Sequence, residues 1–472
     1  MSEKDMSYAA VLARKGDIIK ASAGIDFAQF ERGALSFDYE GMLASTGFDI
    51  KTVESVQRDV SVGATPVIEL RNMTALARAF AQAGKGARIF IKDEAANPSG
   101  SFKDRRASMA AYQAKKLGYK GVIAATSGNF GAAVASQAAA RGLKCIIVQE
   151  CYDSRMVGQP EIIEKARKCE AFGAEVVQTT VGPELFYQSL RLLEETGFFS
   201  ASLYSPFGIL GMETLGFELA RQMKERTGKF PDAVVATHAG GGNVTGTARG
   251  LAKAGCATQV IGASVNLEGL HMASDRAFNR KSFTTGHTGF GVPFAMWPDR
   301  SDVPRSAARP LRYLDRYVTV SQGEVFYMTE LLASLEGLER GPAGNTSLAA
   351  AFALAQEMDA DQTIVVQETE YTGAGKHVQP QLSFAIANGI EVFSGDPKDE
   401  IPGRNIVLPK TPGQMRASEV DLGKLRRSLI ATAVQGCAKK VEDYDIQFLA
   451  AETRLGAEKV CKIIDEITGG NE

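Results

Sequence analysis

At 472 residues the chain is long enough for two or three domains with substantial cores, and 44% hydrophobic with 23% charged residues is ordinary for a globular protein. Lysine and arginine at 53 against aspartate and glutamate at 55 leave a net charge of −2, which supplies no global field for nucleic acid. Met1-Ser2-Glu3-Lys4-Asp5 has no apolar leader core and no stretch approaches a membrane span, so the expected location is the cytoplasm, away from membranes.

Residues 1 to 60 read as a polar, helical extension. Gly63-Ala64-Thr65-Pro66 then opens alternating strands and helices that run to about residue 230, a pattern that implies mainly parallel sheets covered on both faces. The most informative stretch follows: Asn97-Pro98-Ser99-Gly100-Ser101-Phe102-Lys103-Asp104-Arg105. It sets one lysine between turn formers at a helix start, and Ala107, Met109, Ala110 and Ala114 recur at helical spacing until Gly118. Partial desolvation there would lower the amine's pKa and free it for Schiff-base chemistry, although a helix-start lysine taken alone is more often simply solvated.

Thr126-Ser127-Gly128-Asn129 comes next, between an expected strand over 121–125 and a small-residue helix over 130–141. Gly142 and a strand over 144–149 complete the βαβ pattern. Such a turn gathers N–H groups and hydroxyls at one spot, which suits a carboxylate; a plain helix cap is the alternative. The six cysteines (Cys145, Cys151, Cys169, Cys256, Cys437, Cys461) form no CxxC pair and read as reduced thiols, with no metal site expected. Cys145 and Cys169 read as packing residues. Cys151, at a strand end, is a candidate acyl acceptor, set against the inertness of most cysteines.

A second alternating series begins at Pro231. A strand over 233–237 leads into Ala239-Gly240-Gly241-Gly242-Asn243 and a helix over 244–253, a backbone cup with a helix N-terminus that favours a phosphate dianion. A dinucleotide fingerprint would need glycine where Thr245 stands, and no Gly-Lys pair precedes Ser or Thr as a P-loop requires. The phosphate therefore belongs to a smaller cofactor. The segment 266–312 interleaves His271, Arg276, Arg280, Lys281, His287, Trp297, Arg300, Arg305, Arg309 and Arg312 with glycine, proline and aromatics. It suits the phosphates and adenine of coenzyme A, or equally an arginine-rich interface. His287, in a glycine-flanked loop, is a weak acid–base candidate. After an expected strand over 363–367 comes Tyr371-Thr372-Gly373-Ala374-Gly375-Lys376. Pro402, Pro409 and Pro412 mark a linker, and two helices are expected over 421–439 and 443–467 as an appendage or subunit contact.

A lysine, a carboxylate turn and a phosphate cup, in that order, resemble the fold-type II pyridoxal-phosphate enzymes, the threonine synthase and tryptophan synthase β-subunit group. The resemblance implies an α/β fold of two open, mostly parallel sheets flanked by helices, with helical N- and C-terminal extensions and divisions at 1–60, 61–230, 231–400 and 401–472. It makes Lys103 the Schiff-base lysine and sets Asn129 beside the pyridoxal hydroxyl. Thr126, Ser127 and Gly128 become the substrate-carboxylate loop, and Gly240, Gly241, Gly242 and Asn243 the phosphate loop. Residues 371–376 resemble the family's Thr-Gly-x-Gly-x-Lys turn, one residue shorter, which puts the Thr372 hydroxyl at the pyridine nitrogen. A neutral hydroxyl leaves the ring a weaker electron sink than an aspartate would, so transamination is disfavoured.

Further stretches resemble the β subunits of 2-amino-4-ketopentanoate thiolases. They are Gly24-Ile25-Asp26, residues 87–94, Gln149-Glu150-Cys151-Tyr152-Asp153-Ser154, residues 284–291 and Glu339-Arg340-Gly341-Pro342-Ala343-Gly344-Asn345-Thr346. That resemblance implies cleavage of 2-amino-4-oxopentanoate with coenzyme A to acetyl-CoA and alanine, as the D enantiomer, in ornithine degradation. It also implies a small α subunit as partner and a homodimeric core. The rivals are β/γ elimination or replacement on the same scaffold, as in threonine synthase or diaminopropionate ammonia-lyase, and a non-catalytic subunit of the same fold.

Overall fold

The computed structural model describes residues 4–126, 128–158, 160–182, 184–202, 204–267, 302–371 and 377–469. The N-terminal extension carries α1 (Tyr8–Ala13), α2 (Lys15–Ala23), α3 (Tyr39–Ser45) and α4 (Ile50–Arg58). Then follow β1 (Val67–Glu69), α5 (Arg71–Phe80), β2 (Arg88–Asp93), α6 (Lys103–Lys116), β3 (Gly121–Thr126), α7 (Asn129–Ala140) and β4 (Lys144–Tyr152). Next come α8 (Pro160–Ala171), β5 (Glu175–Thr180), α9 (Glu184–Thr196), β6 (Phe199–Ser200), α10 (Pro206–Thr227), β7 (Ala233–Thr237), α11 (Gly242–Lys253) and β8 (Gln259–Val265). The later strands are β9 (Arg316–Val320), β10 (Thr363–Glu368), β11 (Glu391–Gly395), β12 (Asn405–Pro409) and β13 (Ser418–Glu419).

Two main sheets result. A four-stranded sheet, ordered β5-β4-β3-β6, is parallel throughout. A seven-stranded sheet is ordered β1-β2-β10-β7-β8-β9-β13, parallel except for the edge strands β1 and β13. All six residues of β10 are buried, as expected for a strand covered on both faces; each fully buried Val or Ile contributes roughly 1.5–3 kcal/mol. The sheets do not follow the chain in two consecutive halves, because β1 and β2 join the large sheet while β3 to β6 form the small one. The segment between β2 and β3, which holds Lys103, therefore crosses from one sheet to the other.

The C-terminal extension corrects one expectation. In place of a single helix over 443–467 there are two, Asp443–Thr453 and Ala457–Thr468, after Leu422–Gln435. Arg454 caps the first in a left-handed conformation and Gly456 opens the next, which turns the chain so that Leu449, Val460 and Ile463 meet Ile430 and Leu35 in one core. Asp445 accepts hydrogen bonds from the Leu35 and Ser36 amides at 2.9 and 2.8 Å, tying the two extensions together.

Candidate active site

The turn before Lys103 is held by a buried charge network. Asn97 donates to the Glu94 carbonyl and carboxylate, both at 2.9 Å, and accepts from the Gly63 amide at 3.0 Å. Arg105 grips Glu94 with two bonds, 2.7 and 2.8 Å, and reaches Glu218 at 3.2 Å; Glu218 in turn pairs with Lys92. Burial alone would push Glu94 up, but Arg105 and Lys92 outweigh it and hold the carboxyl at about 2. Asp104 faces the other way and accepts from the Ser99 amide at 2.7 Å and from Gln137 of α7 at 3.1 Å; burial lifts it to about 6. This network runs through both sheets' helices and fixes where α6 begins.

Lys103 is the first residue of α6, half-buried, with Nζ 4.5 Å from the centroid of the Phe102 ring. Gly100 has φ +76°, a left-handed turn that side chains resist, and a Cβ there would lie 3.2 Å from Tyr371 Cβ. The Phe102 amide donates to the Thr369 carbonyl at 3.1 Å, and the Tyr371 amide to the Gly100 carbonyl at 2.8 Å. The lysine turn is thus laced to the chain leaving β10, immediately before position 372. Thr372 itself lies outside the described residues, as does Ser127.

The glycine cup occupies the end of β7, the strand next to β10. Gly241 has φ +81° and caps α11, and a Cβ there would fall 2.5 Å from Pro310. Asn243 donates to the Thr237 carbonyl at 3.2 Å, and its Oδ1 is buried without a hydrogen-bond partner among the described residues. Two residues that sequence reasoning missed border the cup. Tyr204 sets its hydroxyl against Gly240, and the Arg106 guanidinium lies against Gly242, where a Cβ would meet Nη2 at 2.8 Å. The only signal for Arg106 was a second arginine in the α6 turn; nothing in the sequence marked Tyr204. On the small sheet, Thr126 ends β3, the Gly128 amide donates to its Oγ1 at 3.0 Å, and buried Asn129 starts α7. Glycine cup, helix N-terminus and buried cation together fit a small phosphorylated cofactor.

Two other candidates fare differently. Cys151 is buried beneath the strand end, and burial with nearby Glu150 pushes its thiol up to about 12, which removes it as a ready nucleophile. Of the basic segment, His271, Arg276, Arg280, Lys281, His287, Trp297 and Arg300 lie outside the described residues. Arg309 is committed within the chain, bonding Glu452 through Nε at 2.8 Å and Nη2 at 2.5 Å, and Arg312 reaches the same carboxylate at 3.3 Å.

A family model for the pyridoxal-phosphate dependent enzymes matches residues 59–370. The chain is 68% identical to the 2-amino-4-ketopentanoate thiolase β subunit of Acetoanaerobium sticklandii over 99% of its own length and 100% of that protein. It belongs to this thiolase β-subunit branch of the pyridoxal-phosphate dependent enzymes. A second protein of the same description, from an unknown prokaryote, is 63% identical over 98% of this chain and 99% of its own length. Among solved structures, a threonine deaminase from T.th. matches with a TM-score of 0.53 and 25% identity, covering 69% of this chain and 99% of that one. The fold is therefore fold-type II, as the motif order implied. Among the described residues no helix is long and apolar enough to cross a membrane.

Proposed function

We propose that this chain is the pyridoxal-phosphate-binding β subunit of a 2-amino-4-ketopentanoate thiolase, acting on 2-amino-4-oxopentanoate and coenzyme A in ornithine degradation. The observation that carries the reading is full-length identity to two such subunits, together with Lys103, the carboxylate turn and the glycine cup at the carboxyl ends of β2, β3 and β7. Lys103 would hold the cofactor covalently, Gly240 to Asn243 would take its phosphate, Asn129 would serve its hydroxyl and Thr372 its ring nitrogen. Thr126, Ser127 and Gly128 receive the substrate carboxylate. The bound cofactor supplies an electron sink that acidifies the substrate Cα–H. The Lys103 amine, once free, would take and return the proton at Cα.

The overall balance is simple. The substrate's Cβ–Cγ bond breaks, the Cγ carbonyl carbon bonds the coenzyme A sulfur, and the thiol proton ends on Cβ, giving acetyl-CoA and alanine. Burial raises the thiols of Cys145, Cys151, Cys169 and Cys256, which counts against these four as acyl carriers and favours direct transfer to coenzyme A. The β designation of the relatives implies a multi-subunit enzyme, and we assign a small α subunit as partner, a homodimeric core and D-alanine as product. Six free cysteines among the described residues and coenzyme A chemistry agree with the cytoplasm.

The test is co-expression with the small subunit, followed by mass spectrometry of the quenched reaction. Acetyl-CoA and alanine should form in equal amounts only when coenzyme A is present. Pyruvate and ammonia formed irrespective of coenzyme A would replace the thiolase with a lyase on the same scaffold.

A further inference from the structure

Among the described residues, Arg106 is a buried side chain at the site without a carboxylate partner. It sits on α6, three positions from Lys103, and is 4% exposed. Arg105 beside it is saturated by Glu94 and Glu218, whereas among the described residues no carboxylate pairs with Arg106 and its Nε has no hydrogen-bond partner. Its surroundings are the Phe102 ring, whose centroid is 5.5 Å from Cζ, the Tyr204 hydroxyl and the backbone of Gly242. A guanidinium buried without a counterion is costly, because desolvation is not offset by attraction. Consistent with this, burial draws Arg106 down to about 10. Its planar donors lie against the first residue of α11, where the helix N-terminus already favours an anion.

We propose that Arg106 is the counterion of the cofactor phosphate, so that the group is bound by a fixed cation as well as by the glycine backbone and the helix end. This rests on the reading that the glycine cup receives that phosphate. It also accounts for glycine at position 242: any side chain would displace the guanidinium from the cup. The same cation makes the site without phosphate unfavourable, because it is buried with no carboxylate partner among the described residues.

The experiment titrates apoenzyme with pyridoxal phosphate and, separately, with pyridoxal, following the visible absorbance and protein fluorescence. It compares wild type with Arg106→Gln and Arg106→Lys. Loss of one charge-assisted contact should weaken pyridoxal phosphate binding by at least about tenfold in Arg106→Gln, with partial recovery in Arg106→Lys. Affinity for pyridoxal, which lacks the phosphate, should be unchanged. Inorganic phosphate should compete with the cofactor in wild type and lose that effect in Arg106→Gln. The apo form of Arg106→Gln should melt no lower than wild-type apoenzyme, since the substitution removes an uncompensated charge. Unchanged pyridoxal phosphate affinity in both variants, or equal weakening for both ligands, would overturn the assignment and make Arg106 a packing residue. Wild-type enzyme that fails to prefer pyridoxal phosphate over pyridoxal would instead overturn the phosphate-cup reading beneath it.

Discussion

Replacing Arg105 with methionine tests whether the charge network behind Lys103 is structural. The guanidinium is fully buried and is the principal partner of Glu94, itself fully buried. Holding Glu94 at about 2 against its ordinary 4.5 corresponds to roughly 3 kcal/mol, at about 1.4 kcal/mol per pH unit. That agrees with the roughly 3–5 kcal/mol lost when one partner of a buried pair is removed. The sign with pH follows. In wild type the depressed carboxyl contributes stability that is present above 4.5 and lost as pH falls towards about 2. In Arg105→Met, burial acts with less opposition, Glu94 takes up a proton to stay folded, and stability is lost as pH rises above the ordinary carboxylate value. Urea denaturation at pH 5 and pH 8 should therefore show a deficit that is larger at pH 8. Adding Glu94→Gln in the same chain should restore part of it. A variant of near wild-type stability, or a deficit indifferent to pH and to the second substitution, would refute the network argument.

Three shorter predictions accompany it. Lys103→Ala should abolish the visible cofactor absorbance and turnover while leaving the far-ultraviolet circular dichroism intact; a borohydride-reducible adduct surviving in the variant would move the role to another lysine. Cys151→Ser should retain acetyl-CoA formation, and its loss would show that this buried thiol carries the acetyl group. Glu368 is pushed well above the usual carboxylate range by burial, Asp93 and Glu370, against Arg340. A raised carboxyl contributes stability that is present below about 4.5 and lost as pH rises through its folded value. The melting temperature of Glu368→Gln should thus fall less than wild type between pH 6 and pH 9, and parallel curves would count against a neutral Glu368.

The stretches 97–105, 126–129 and 239–243 were legible because each leads from a strand into a helix and is made mostly of small or polar residues. The strand over 233–237 was read to its ends, and the helix after it differed only at its start, because Gly242 and Asn243 looked like loop rather than first turn. The C-terminal break at Arg454 was hidden for the opposite reason. Nothing about an arginine announces a left-handed cap, and Gly456 two positions on passes for a tolerated helix glycine. Arg106 was missed because a burial pattern cannot be read for a charged residue that has no carboxylate partner among the described residues. The Glu94–Arg105–Glu218–Lys92 network was equally invisible, since its members come from β2, the turn after it, α6 and α10.

What joins the lysine to the phosphate cup is α10, and this too reads poorly from sequence. Its glycines look like helix breakers, each disfavoured by about 1 kcal/mol relative to alanine. In the fold they are contact points. A Cβ on Gly211 would strike the carbonyl of Arg105 on α6, and one on Gly216 would strike the carbonyl of Thr247 on α11. The two helices whose first turns carry Lys103 and the cup are therefore packed, backbone against backbone, on one face-sharing partner. Side chains at these positions would push α6 and α11 apart, and with them the Lys103 turn and the glycine cup that we propose hold the two ends of one small cofactor. The cost of glycine within α10 is offset by this close backbone packing, which sets the distance between the first turns of α6 and α11 from a helix that carries none of the proposed site residues.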